Sequence, residues 1–298
     1  MTRRRWLAVA ASTAATAQQK DPVFRAEVRL VRLLVNVRDS SERLVGGLEK
    51  SDFSVIDSGV PQTISIFERQ TELPLSIALM IDTSGSTAKD LKYELESASR
   101  FVKAVVREGN PKDSLALYSF NHDVTLQSNF TRDPTRIQRA LPRLRAEAGT
   151  SMYDAIVLAS EGLGDRDGRR VMVVITDGGD TTSYRNYHDA LRATHDADAV
   201  LYAIVVVPIT NDAGRNTGGE NALTQISRST GGRAFFPAAG PTLDRALSDI
   251  LRDLRTQYLL GYYPKELPRA QDRFRRVSVT LGRADLRAST RDGYYGDN

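Results

Sequence analysis

The stretch "LSIALMIDTSGST", residues 75–87, runs an apolar segment straight into a cluster of small polar residues, and the fold is decided by how that junction is read. Near-continuous apolar runs of this length belong to strands buried on both faces of a largely parallel sheet. Three more such runs follow, "DSLALYSF" at 113–120, "RRVMVVITD" at 169–177 and "VLYAIVVV" at 200–207. Helical stretches lie between and after them: "KDLKYELESASRFVKAVVRE", "DPTRIQRAL", "MYDAIVLASEGL", "NYHDALRATHDA", "NALTQISRST" and "LDRALSDILRDLRTQY". Strands alternating with helices predict a doubly wound α/β domain, Rossmann-like in architecture, over residues 73–257. Ligands of such sheets bind outside the carboxyl ends of the strands, where the strand order reverses.

Three polar clusters stand at those ends. Asp82, Ser84 and Ser86 are spaced two apart, so an extended segment throws all three side chains to one side, and Gly85 allows a tight turn between them. Asp and Ser before a helix are also ordinary caps, and a helix is expected from about Ala88. The second cluster is "GTSMYDAI", with Thr150 opening an apolar helix and Asp154 one turn on, again compatible with a cap. In the third, Asp177 ends a strand before two glycines, a pattern that most often makes a turn. Taken together, the clusters supply two carboxylates and three hydroxyls, all hard oxygen donors. Such a set suits Mg²⁺, Mn²⁺ or Ca²⁺ and disfavours Zn²⁺, and an octahedral Mg²⁺ held by a few protein groups keeps an open face that attracts an outside carboxylate.

At these residues the sequence resembles the von Willebrand factor A (VWFA) domain family, whose metal-ion-dependent adhesion site (MIDAS) reads Asp-x-Ser-x-Ser, a distant Thr and a distant Asp. Asp82, Ser84, Ser86, Thr150 and Asp177 fall in that order. The resemblance implies that Ser84 and Ser86 contact the metal directly, and that Asp82 anchors it through water or hydrogen bonds. It also implies that Thr150 and Asp177 exchange direct and water-mediated roles between two states, a shift that could pull on the last helix of the domain. The expected partner is a protein that presents a carboxylate.

The flanks have a different rhythm. From Glu27 to Gln70 the pattern has period two, with a change of phase between Leu30 and Val31 that suggests a bulge; "DFSVID" and "QTISIFE" read as strands around the turn signal Asp57-Ser58-Gly59. After the α/β region come "YLLGYYP", "RFRRVSVTLG" and "ADLRASTRDGYY", again short and alternating. An N-terminal β segment (24–72) and a C-terminal one (258–298) are therefore expected to pack as one β sandwich, two separate small β pieces being the alternative. Tyr258, Tyr262, Tyr263, Tyr294 and Tyr295 read as its core and rim. These flanks resemble the von Willebrand-related proteins abundant in acidobacteria, a grouping that implies an exported bacterial protein and supplies no activity.

Residues 1–17 read as a signal peptide, with Arg3, Arg4 and Arg5 before a short apolar stretch and Ala15-Thr16-Ala17 at the cleavage site; the arginines also fit a twin-arginine signal. Export to the periplasm, cell surface or medium is the expectation. Of 41 Lys and Arg residues three lie in that leader, leaving 38 against 37 Asp and Glu, so no basic surface for nucleic acid is expected. With no cysteine, the fold rests on core packing, and no later run is long enough for a membrane span.

An enzyme is not expected. His188 and His195 are seven apart on a helix, too far to chelate one ion, His122 is remote in sequence, and no nucleophile motif or phosphate-binding loop occurs. Metal-assisted hydrolysis, and an assembly factor docking on an ATPase, are the alternatives. Arg132, Arg136, Arg139 and Arg143 read as a solvated stripe, and residues 210–221 as a mobile loop beside the metal face.

Overall fold

The structure is a computed structural model, and it describes residues 30–69, 71–206, 217–238, 240–265 and 273–296. The expected leader, Val28 and most of the 210–221 loop lie outside the described residues.

In chain order the N-terminal flank supplies β1 (Val31–Asp39), β2 (Phe53–Asp57), β3 (Val60–Gln62) and β4 (Ile64–Glu68). The central region follows with β5 (Leu75–Asp82), α1 (Leu91–Glu108), β6 (Ser114–Phe120), β7 (Val124–Thr131), α2 (Pro134–Ala140), α3 (Met152–Gly164) and β8 (Arg169–Thr176). It continues through α4 (Tyr187–Asp196), β9 (Ala199–Val205), α5 (Thr217–Ser229), β10 (Ala234–Phe235) and α6 (Pro241–Arg255). The chain closes with β11 (Tyr258–Tyr262), β12 (Phe274–Leu281), β13 (Leu286–Ser289) and β14 (Gly293–Tyr295).

The central sheet has the order β10-β9-β8-β5-β6-β7, parallel except for β7, which pairs antiparallel with β6. Alternation along the strands divides the core in two. Ile77, Leu79 and Ile81 join α1, α2 and α6 on one face, while Ala78 and Met80 join α3, α4 and α5 on the other. The mixed α/β class with a mostly parallel sheet is thus as expected. Since β5 connects onward to β6 on one side and β8 to β9 on the other, the order reverses between β5 and β8. The Asp82 and Asp177 loops leave the sheet at that point.

Two antiparallel sheets flank this domain, β13-β1-β11-β4 and β14-β12-β2-β3. Each mixes strands from both ends of the chain, since β1 pairs with β11 and β13, and β2 with β12. Their inner faces share one core, with Leu33, Val35, Leu260 and Tyr262 from one sheet against Phe53, Val55 and Val277 from the other. The turn at Ser58 and Gly59 joins β2 to β3 with both residues at positive φ, 51° and 84°, the conformation of a two-residue hairpin turn. Tyr262 and Tyr294 both donate to the fully buried Asp57, at 2.8 Å each, so Tyr262 is a core residue and the half-buried Tyr294 packs beside it, both with their hydroxyls satisfied. Tyr263 stays exposed.

The phase change at Leu30 and Val31 is where β1 begins, and β1 pairs with β11 in register; the sheet's register shift falls between Gly261 and Tyr262 instead. Residues 217–221 belong to the first turns of α5 rather than to a loop, because Leu223 and Ile226 seat that helix on the sheet. The helix expected near Ala88 is first a 3₁₀ turn, Gly85–Lys89, and becomes α-helical at Leu91.

Candidate functional site

Asp82 is the last residue of β5 and is fully buried. Both of its oxygens are held: the Ser84 backbone N–H donates to Oδ1 at 2.8 Å, and the Thr176 hydroxyl donates to Oδ2 at 2.6 Å. Thr176 in turn accepts from the Gly178 N–H at 3.0 Å, so the ends of β5 and β8 are tied through one carboxylate. Burial pushes the Asp82 carboxyl up to about 6, against the lowering effect of the Thr176 and Ser84 hydrogen bonds; the Asp177 charge adds to the rise.

Ser84 and Ser86 turn their hydroxyl oxygens to each other at 3.0 Å. Ser84 occupies the cap position of the 3₁₀ turn, yet its side chain makes no capping bond. Asp90 before α1 and Ser151 before α3 also make no side-chain cap. The bland reading of these residues as helix caps therefore does not describe how the side chains are used. Inside the 3₁₀ turn, the Thr87 hydroxyl donates to the Ser84 carbonyl at 2.9 Å.

The Thr150 loop is stitched to the rest from both sides. Glu147 N–H donates to the Thr83 carbonyl at 2.9 Å and pairs across to Ser84 in an isolated parallel bridge. His122 N–H donates to the Ala148 carbonyl, and Ser151 N–H to the Asn121 carbonyl. On the other side the Thr150 N–H donates to the hydroxyls of Thr181 and Thr182, and the Thr150 carbonyl accepts from both of their N–H groups. None of these bonds uses the Thr150 hydroxyl. Gly149 makes the approach possible: its φ is +84°, and a Cβ there would come within 2.8 Å of His122 Cβ. Asp177 lies one residue past β8, with the Gly179 N–H donating to its Oδ1 at 3.3 Å. Asp154 accepts from the N–H groups of Tyr184 and Arg185 and so anchors the 180–185 loop.

The three loops that carry Asp82, Ser84, Ser86, Thr150 and Asp177 are thus bonded into one assembly at the carboxyl end of the sheet. Among the described residues no three Asp, Glu or His side chains converge as a metal-holding group, so the candidate centre is one of hydroxyls with two carboxylates. Hydroxyl and carboxylate oxygens are the donor chemistry of Mg²⁺, Mn²⁺ and Ca²⁺, and a mutually facing serine pair fits it.

Two residues of this region escaped the sequence reading. Thr176 reads as the polar end of a strand, and nothing in its spacing announces the bond to Asp82. Glu94 reads as one more charge on an amphipathic helix, yet it is 1% exposed with neither oxygen partnered. Burial, reinforced by the charges of Asp82, Asp90 and Asp177, pushes its carboxyl up to about 8. A signal existed: Leu91, Glu94, Ala98, Phe101 and Val105 recur at helical spacing, and a glutamate occupies a place where that stripe calls for an apolar residue.

Residues 77–179 match the family described as the von Willebrand factor type A domain. Cuticlin-6 from Caenorhabditis elegans is 30% identical over 215 residues, covering 66% of this chain and 33% of that protein, so the match spans about a third of the relative's length. Among solved structures, the vWF domain of the type V pili tip protein Mfa5 from Porphyromonas gingivalis superposes with a TM-score of 0.52 at 13% identity, covering 61% of this chain and 95% of that one. The conserved hypothetical protein BatB from Bacteroides thetaiotaomicron gives 0.48 at 19% identity, over 60% and 98% of the two chains. The first of these structures shows the same α/β fold.

Proposed function

We propose that the von Willebrand factor type A domain of this chain is a cation-dependent protein-binding module, in which a divalent ion at the carboxyl end of the sheet captures an acidic group of a partner. Ser84, Ser86 and Thr150 would hold the ion, with Asp82 and Asp177 supplying the negative charge. When bound, the ion supplies a partly neutralised positive charge with a free coordination position. The chain's own residues do the rest. Thr176 and the Ser84 N–H fix the Asp82 carboxylate, and the bonds of the 147–151 loop hold Thr150 in place.

The observation that carries this reading is the Ser84 and Ser86 pair: two hydroxyls 3.0 Å apart, the first at a cap position without capping, beside a buried carboxylate. Mg²⁺ is the ion of choice, with Mn²⁺ and Ca²⁺ compatible. A binding role is supported by the chemistry around the serines: Asp82 is held by the Thr176 hydroxyl and the Ser84 N–H, and the Ser84 and Ser86 hydroxyls bond each other rather than a base. Export rests on the arginine-led leader and its small-residue cleavage pattern at 1–17. No helix among the described residues is long and apolar enough to cross a membrane.

The experiment is a pull-down from an envelope fraction in Mg²⁺ and in chelator, with wild type and Asp82→Ala. Partners retained by the wild type in Mg²⁺ alone support the reading. Retention that survives both chelator and the substitution would overturn it.

A further inference from the structure

The inward stripe of α1 seats Leu91, Ala98, Phe101, Val102 and Val105 on the sheet, and Glu94 points the same way from the first turn of the helix. A buried carboxylate is ordinarily paired, because taking a charge out of water without a partner is expensive. Glu94 has no hydrogen-bond partner on either oxygen, and the charges that act on it, Asp82, Asp90 and Asp177, are all negative. Its acidic neighbours thus make the burial worse. A leucine would fit an amphipathic helix at this place without that penalty. Two of the three neighbours, Asp82 and Asp177, are residues of the cation site proposed above. A proton on Glu94 relieves this repulsion at low pH, and once the carboxyl is ionised a cation in the neighbouring site would relieve it.

Resting on that reading, we propose that Glu94 is a positioning residue of the cation site, an outer carboxylate that adds a third negative charge and accepts hydrogen bonds from water on the ion. Glu94, Asp82 and Asp177 do not converge as a metal-holding triad, so Glu94 is assigned to the surroundings of the ion rather than to its direct ligands. An outer role fits Mg²⁺ in particular, which keeps several of its waters when bound. Partners at one remove from a metal commonly change its affinity 10- to 100-fold.

The test is thermal denaturation of the full chain in EDTA and across a MgCl₂ titration, with Mn²⁺ binding followed by electron paramagnetic resonance, for wild type, Glu94→Gln and Glu94→Asp. Two opposite effects are expected from Glu94→Gln at pH above about 8, where the carboxyl is ionised: a higher midpoint in EDTA, because an unpaired buried charge is gone, and cation affinity weakened about 10- to 100-fold. Glu94→Asp should keep the larger part of the affinity. A purely structural glutamate would not move the Mn²⁺ signal. Wild-type affinity in Glu94→Gln overturns this proposal and leaves the cation site standing, as does a lower midpoint in EDTA, which would reveal a structural partner for the side chain. A wild type that binds neither ion overturns both.

Discussion

Asp82 shows how little of the site a single residue can explain. Its carboxylate is buried and satisfied only because Thr176 reaches across from the next strand, so Thr176→Val should leave Oδ2 without a donor. An orphaned buried acceptor costs about 1–3 kcal/mol, and urea denaturation should record a loss of that size together with weaker Mg²⁺ binding. Glu94 gives a pH dependence. Its carboxyl is raised from the ordinary 4.5 to about 8, so the contribution is fully present at low pH and is lost as pH rises between those two values. In chelator, stability should therefore fall with a slope of at most about 1.4 kcal/mol per pH unit across that window, and Glu94→Gln should flatten it. Asp82, Ser84, Ser86, Thr150 and Asp177 were legible as candidates because small oxygen-bearing residues clustered after strands. Thr176 and Glu94 were not, since their roles depend on partners from distant segments.

Among the elements, the loop of residues 147–151 turns on one glycine. Gly149→Ala would force a Cβ against His122 at positive φ, at a cost on the order of 1–3 kcal/mol, and should displace Thr150 from the neighbouring loops. Weaker Mg²⁺ binding in a still-folded variant, checked by circular dichroism, is the expected outcome. The helix α6 runs from the site end of the sheet back to β11, which enters the sandwich. If Asp177 changes its role on ligand capture, hydrogen exchange of residues 243–258 should differ between chelator and Mg²⁺ with an acidic peptide; identical exchange would remove the switch. Strands β5, β6, β8 and β9 could be read from the sequence because burial on both faces makes them continuously apolar. By contrast, β7 is an edge strand with a mixed, half-exposed pattern, and β10 is two residues long, so neither leaves a periodic trace.

On the scale of the whole molecule, the sandwich and the α/β domain are joined by polar contacts, one part-buried and two exposed, as well as by chain. Arg38 of β1 pairs with Asp253 of α6, which is 2% exposed, and Arg291 bonds both Asp198 and the Arg32 carbonyl. Burial raises the Asp253 carboxyl and the Arg38 guanidinium opposes that rise. Removing the arginine alone should strand a buried acid, so Arg38→Ala is expected to cost about 3–5 kcal/mol in chemical denaturation. Strand β5 starts beside the sandwich linker and ends at Asp82, ~25 Å away at about 3.3 Å per residue, so the candidate site faces away from the sandwich. The account as a whole depends on a cation held by those loops. Isothermal titration calorimetry of the full chain with MgCl₂, wild type against the Ser84→Ala, Ser86→Ala double variant, tests it most directly: the account predicts uptake of about one ion per chain in the wild type and none in the variant, and it is contradicted if the wild type takes up no Mg²⁺, Mn²⁺ or Ca²⁺, or if the variant binds as well as the wild type.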